Sequence, residues 1–155
     1  MSKFDDYQTL MNDQDCLVES LGSLGRKTVL ANDQVNGDQL FGYEGAQRPE
    51  RAQVILPRKT LSGASNDIGF RREENGNFTA VVSQYDSSIG YGKEWLGKVS
   101  RVYLEKKAVK DLTAQGYSNF RREEIKNASG APDVRITATP PPAYTQAQQV
   151  GFSRS

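Results

Sequence analysis

The chain has 155 residues, of which 36% are hydrophobic and 25% charged, and its twenty basic and nineteen acidic side chains nearly cancel. That length suits one domain, near-neutrality removes any global field toward nucleic acid or anionic membrane, and the low apolar share implies a modest core with loops or a tail. The lack of histidine and the single cysteine, Cys16, exclude Ser-His-Asp and Cys-His catalysis, histidine-ligated zinc, a histidine pH switch and an intramolecular disulfide.

In chain order, the first eleven residues are ambiguous. Tyr7, Leu10 and Met11 fit a helix face, while Phe4 to Leu10 fits an edge strand equally well. Two acids and the absence of an apolar run make this stretch unlike a secretory signal, so the expectation is an intracellular, cytoplasmic protein in a reducing compartment. Asn12 or Asp13 can cap a helix whose apolar face is Leu17, Val18, Leu21 and Leu24, with Gly25 as its stop. Cys16 is expected at the rim of that face as a small, unreactive side chain, since no positive neighbour depresses its pKa.

Short strands are expected at Thr28 to Ala31, Leu40 to Tyr43 and Arg51 to Leu56, with irregular backbone at Gly42, Gly45 and Pro49 between the last two. The strongest local signal is the hairpin from Asp67 to Gln84, where Ile68, Phe70, Phe78, Ala80 and Val82 alternate with polar residues around Asn75-Gly76. A two-residue turn would put Phe70 and Phe78 on opposite faces. A three-residue loop, Glu74-Asn75-Gly76, pairs Glu73 with Asn77 and Phe70 with Ala80, gathers all five apolar residues on one face and places Gly76 in the left-handed region.

The main helix is expected to begin near Tyr91 to Lys93, after Gly90 and Gly92, and to end before Gly116. Its predicted stripe is Trp95, Val99, Val102, Val109 and Leu112, widened by Leu96 and Tyr103. Two further strands, Tyr117 to Lys126 and one carrying Val134, Ile136 and Ala138, close the domain. Phe-Arg-Arg-Glu-Glu occurs at Phe70 to Glu74 and at Phe120 to Glu124; either the two strands neighbour each other or the repeat reflects amphipathic composition. From Pro140 the sequence PPPAYTQAQQVGFSRS is a Pro/Gln/Ser-rich tail that cannot fold alone.

Chemical motifs are scarce. Gly42-Tyr-Glu-Gly45 lacks the ending of a phosphate loop, and Asp67 with Glu73 and Glu74 is a solvated hairpin face rather than a catalytic carboxylate pair. Arg71-Arg72 and Arg121-Arg122 beside Phe70 and Phe120 suggest an RNA platform only until Phe70 is turned inward and the adjacent glutamates cancel the charge. Pro141-Pro142-Ala143-Tyr144 matches the short Pro-Pro-x-Tyr ligand of WW domains, a pattern of little information. Tyr144, Val150 and Phe152 are the sizeable side chains of the tail and its expected partner-binding anchors.

Several short motifs occur in a familiar order: Met1-Ser2-Lys3-Phe4, Leu21-Gly22-Ser23-Leu24-Gly25, Gly42-Tyr43-Glu44-Gly45, Asn66-Asp67-Ile68-Gly69-Phe70, Tyr103, and Gln115-Gly116-Tyr117. In these the chain resembles the hypothetical chloroplast reading frame thirty-five family, small uncharacterised proteins of algal plastids, cyanobacteria and other bacteria, over about Met1 to Thr139. It departs at Arg101-Val102-Tyr103-Leu104, in longer loops at Gln47 to Glu50 and Leu61 to Ser65, and in the tail. The resemblance implies no known catalytic residue and adds the plastid stroma as a compartment.

These readings give an α+β fold: one domain over residues 1–139 with an antiparallel-rich sheet of five to seven strands covered on one face by two helices, and an extended tail over 140–155. The expected function is a non-catalytic binding or accessory subunit without cofactor or metal, whose partners are other protein subunits; the alternative is a structural component of a viral or phage particle.

Overall fold

In a computed structural model, which describes residues 3–142, the chain runs β1 (Phe4–Gln8), α1 (Gln14–Ser23), β2 (Val29–Leu30), β3 (Asp38–Phe41), β4 (Gln47–Ala52), β5 (Val54–Leu56), β6 (Ile68–Arg72), β7 (Phe78–Ser83), α2 (Gln84–Asp86), α3 (Lys93–Ala114), β8 (Ser118–Lys126) and β9 (Pro132–Thr139). The fold is α+β. Two compact units divide at Leu104/Glu105, within α3.

The first unit is built on the hairpin. β6 and β7 pair with Phe70 opposite Ala80, the Glu73 N–H donates to the Asn77 carbonyl at 2.8 Å, and Gly76 has φ +88°, so the three-residue loop holds. The antiparallel sheet has the order β1-β7-β6-β5-β2. On one face Ile68, Phe70, Phe78, Ala80 and Val82 join Val54 and Leu56 of β5, and the buried faces of α1 (Leu17, Leu21) and α3 (Leu96, Val99, Tyr103) pack in the same cluster. The stripe of α3 is therefore centred on Leu96, Val99 and Tyr103; Trp95 is half-buried at its flank, 6.5 Å from the Phe70 ring. Cys16 is buried in this cluster rather than at its rim.

The opposite face is not a polar surface. Leu40 of β3 and Ala52 of β4 bury it against Ile55 and Val81, which is why Val81 is buried on the second face of β7. The expected strand Arg51 to Leu56 is two strands, because Gln53 leaves the ladder of β3–β4 before β5 joins the sheet. Gln53 keeps its own bonds by donating to the Val35 carbonyl and accepting from the Arg72 N–H. Pro49 lies inside β4, in a two-stranded ribbon where a missing N–H is tolerated on an open edge.

Local chemistry sets the helix ends. The Asp13 carboxylate accepts from the Cys16 N–H at the start of α1. At its end Arg26 N–H donates to the Leu21 carbonyl and Gly25 N–H to that of Gly22, the paired bonds of a left-handed stop at Gly25. The Tyr103 hydroxyl accepts from the N–H groups of Asn12 and Asp13 at 3.0 and 2.9 Å and donates to Asn12 Oδ1, so α3 holds the chain entering α1.

In the second unit β8 and β9 form a separate two-stranded sheet instead of extending the main one. The two Phe-Arg-Arg-Glu-Glu copies therefore lie on strands of different sheets and do not pair. Arg71 pairs with Asp6 and Glu73, whereas Arg122 pairs with Glu105 and Glu124.

Candidate functional site

Two constellations in the first unit combine polar side chains from several segments. The first surrounds Asn66-Asp67. Asp67 is buried, and its two oxygens accept separately from the N–H groups of Phe41 and Arg58, each at 2.8 Å. Burial pushes its carboxyl above the ordinary aspartate range, while those two bonds and the Arg58 charge pull it the other way. Asn66 accepts from the Tyr43 N–H, and its own amide groups donate to Asp86 and Ser83. Fully buried Asp86 collects three of these bonds on Oδ2, including one from the Ser83 hydroxyl at 2.6 Å, and its Oδ1 has no hydrogen-bond partner among the described residues. Ile68 and Phe70 then point into the helix-covered core. Gly69 faces the other way, where an added Cβ would meet Ala52 Cβ at 2.5 Å. The Asn-Asp-Ile-Gly-Phe motif is thus a fastening that joins the β3–β4 ribbon to the sheet, and it uses its carboxylates for backbone bonds.

The second constellation is open to solvent. A groove of about 1090 Å³ lies along the end of β1, the tip of the β6–β7 hairpin and one turn of α3. Thr79 lies in it, flanked by Asp6 and Gln8 of β1 and by Arg71 and Glu73 of the hairpin arm. Arg71 reaches across β7 to Asp6 at 2.9 Å and also holds Glu73 at 2.9 Å. Burial alone would lower its pKa, but the bonds to the two carboxylates outweigh this and raise it. Three carboxylates, from Asp6, Glu73 and Glu74, line the groove with that one guanidinium. At the far end Leu10 is 88% exposed and Leu104 64%, above the buried Met11 and Tyr103. Large aliphatic side chains at such exposure, beside a strand edge and an acidic wall, suit protein docking.

The sequence-predicted anchors Tyr144, Val150 and Phe152 lie outside the described residues. Arg71 lies in the groove, while Phe70 is fully buried and offers no stacking face. Glu73 and Glu74 line the groove and Asp67 belongs to the fastening. The Gly42 to Gly45 stretch is the tight turn between β3 and β4. Sequence reasoning missed Asp6, Gln8, Leu10 and Leu104. The one available signal was the edge-strand alternative for Phe4 to Leu10, which places Asp6, Gln8 and Leu10 on one side. Among the described residues no three potential metal-ligating side chains cluster, and no helix is long and apolar enough to cross a membrane.

Fold and groove together define a small α+β protein with an open sheet edge. Compared with protein families, residues 24–132 match the one described as protein of unknown function (DUF1257), and the chain belongs to that family. No curated protein and no solved structure matches it.

Proposed function

We propose that this protein is a non-catalytic accessory subunit that binds other proteins, and that the groove beside β1 is its docking surface. The observation that carries this reading is the pair Leu10 and Leu104, exposed together where a sheet edge is open. Within the family, the Asn66 to Phe70 and Leu21 to Gly25 motifs favour kinship with the hypothetical chloroplast reading frame thirty-five proteins, and hence a cytoplasmic or stromal setting. Tyr144, Val150 and Phe152 are proposed as a second set of partner anchors.

The test is affinity capture of the full chain from its native source, with the partner identified and its stoichiometry measured by native mass spectrometry. A Leu10→Ser/Leu104→Ser variant should keep the wild-type melting temperature, because exposed positions tolerate substitution, and should lose the partner. Retention of the partner at full stoichiometry, or no specific partner for the wild type, overturns the proposal. Recovery in a regular assembly of many identical copies would support a particle component instead.

A further inference from the structure

We infer that the groove is a strand-addition site: β1 accepts along its open edge an extended segment of another protein that carries lysine or arginine at alternate positions. The inference rests on the protein-binding reading above and names the chemistry of the partner.

The backbone bonds fix which groups of β1 are free to pair. The Gln84 N–H donates to the Lys3 carbonyl and the Thr9 N–H to that of Phe78, at the two ends of a register running from Phe4 opposite Ser83 to Gln8 opposite Thr79. In an antiparallel ladder, residues whose N–H and C=O both point to one neighbour alternate with residues that point to the other side. Lys3, Asp5, Tyr7 and Thr9 therefore face β7, and Phe4, Asp6 and Gln8 present their backbone groups outward. β1 is the last strand of the sheet on this side. The opposite edge, β2, is only Val29–Leu30 and is too short to template a ladder.

Side chains select the occupant. Asp6 and Gln8, whose backbone groups point outward, also line the groove, and Leu10 continues the series. Glu73 and Glu74 add two carboxylates, and the single guanidinium, Arg71, is already held by Asp6 and Glu73. A basic strand meets this field with opposite charge, while Leu10 and Leu104 offer apolar contact at its end. A second copy of β1 is a poor occupant. Its sequence, FDDYQ, paired antiparallel with itself through the outward residues, would set Asp6 against Asp6 in the centred register and Asp5 against Asp5 in the next allowed one, and like charges opposed across strands are destabilising.

The experiment uses the full chain, isotope-labelled, and an eight-residue end-capped peptide alternating lysine with valine. Amide exchange by NMR should slow at Phe4, Asp6 and Gln8 and stay unchanged at Asp5, Tyr7 and Thr9, whose N–H groups are already engaged with β7. The same peptide with glutamate for lysine should bind at least about tenfold more weakly, and raising the salt should weaken the lysine peptide. Methylating the peptide's ladder-forming backbone nitrogens should abolish binding. Gln8→Pro removes one outward N–H and leaves the β7 ladder, so it should lower peptide affinity about tenfold or more with Trp95 fluorescence unchanged. No protection, protection without alternation, or equal binding of the two peptides overturns the inference, as does the same even-residue protection by self-association without peptide. If the Leu10/Leu104 variant loses its native partner but the lysine peptide gives no alternating protection, the protein-binding reading stands and strand addition is wrong. If alternating protection is seen and no native partner is captured, strand addition stands and the subunit reading falls.

Discussion

Gly69→Ala should destabilise the first unit, although its backbone conformation would accept any residue. A methyl group there would lie 2.5 Å from Ala52 Cβ and 3.0 and 3.1 Å from the two Leu40 methyls. Unstrained carbon contacts lie near 3.5–4.0 Å, so β4 must retreat from the sheet by roughly 1 Å at this point. Leu40 can turn aside, but Ala52 Cβ moves only with its backbone. Overpacking of this kind costs about 1–3 kcal/mol, and the alanine returns up to about 1 kcal/mol by restricting the unfolded chain, leaving a net loss of about 1–2 kcal/mol. The geometry further requires coupling. Ala52→Gly alone should cost about 1 kcal/mol, yet in the double variant the methyl has only changed strands. The pair should therefore be less destabilising than the sum of the singles by at least about 1 kcal/mol. Urea unfolding followed by Trp95 fluorescence measures this, since the single tryptophan packs against the core cluster that holds Phe70, one residue from Gly69. Wild-type stability in Gly69→Ala, or additivity within about 0.5 kcal/mol, would refute the close approach.

Tyr103→Phe should cost about 1–3 kcal/mol in the same assay, because it leaves the Asn12 and Asp13 N–H groups without their acceptor; a change below about 0.5 kcal/mol would mean the hydroxyl carries no net weight. Gly76→Val should lose about 1–3 kcal/mol from φ +88° alone, since nothing lies within 4 Å of the added carbon; neutrality would sink the left-handed turn. Asp67→Asn should cost about 1–3 kcal/mol at neutral pH, because one amide oxygen cannot serve both the Phe41 and Arg58 N–H groups. Asp86→Asn should cost less, because a single oxygen, Oδ2, takes all three of its bonds; the reverse order would refute this account. Asp67 also carries a pH signature. Its carboxyl is raised in the folded state, so the folded chain binds the proton more tightly than the unfolded chain. Stability then falls as pH rises from the ordinary aspartate range through the raised folded value, and wild type should gain on Asp67→Asn as the solution is acidified through that window. A difference independent of pH, or one that shrinks on acidification, would contradict the raised carboxyl.

What could be read from the sequence was what short-range chemistry decides. The period-2 pattern around Asn75-Gly76 selected the loop length, because a slip of one residue would have exposed Phe70 or Phe78. Gly25 and Gly116 marked helix ends because few other residues enter the left-handed region there. The rotated stripe of α3 was harder: Trp95 is the largest apolar residue of that helix, but the sheet meets it along Leu96, Val99 and Tyr103. Nothing in β7 said that its second face would be buried. Thr79, Val81 and Ser83 alternate as a solvated face would, and only the arrival of Leu40 and Ala52 from a distant hairpin covers Val81. Gly69 recorded that arrival, and the meaning of a glycine in mid-strand depends on what approaches it.

The groove was invisible for a related reason. An edge is a property of sheet order, and Asp6, Gln8 and Leu10 become an outward-facing set only once β1 pairs with β7 on one side and, among the described residues, with no strand on the other. Before that, Asp5-Asp6 reads as ordinary surface charge. Placed on the edge, the same two acids oppose self-pairing of the strand, and under the strand-addition proposal they would favour a basic one. On that proposal, neutralising Asp5 and Asp6 should relax the preference for basic strands and, by the same step, let copies of this chain pair with each other.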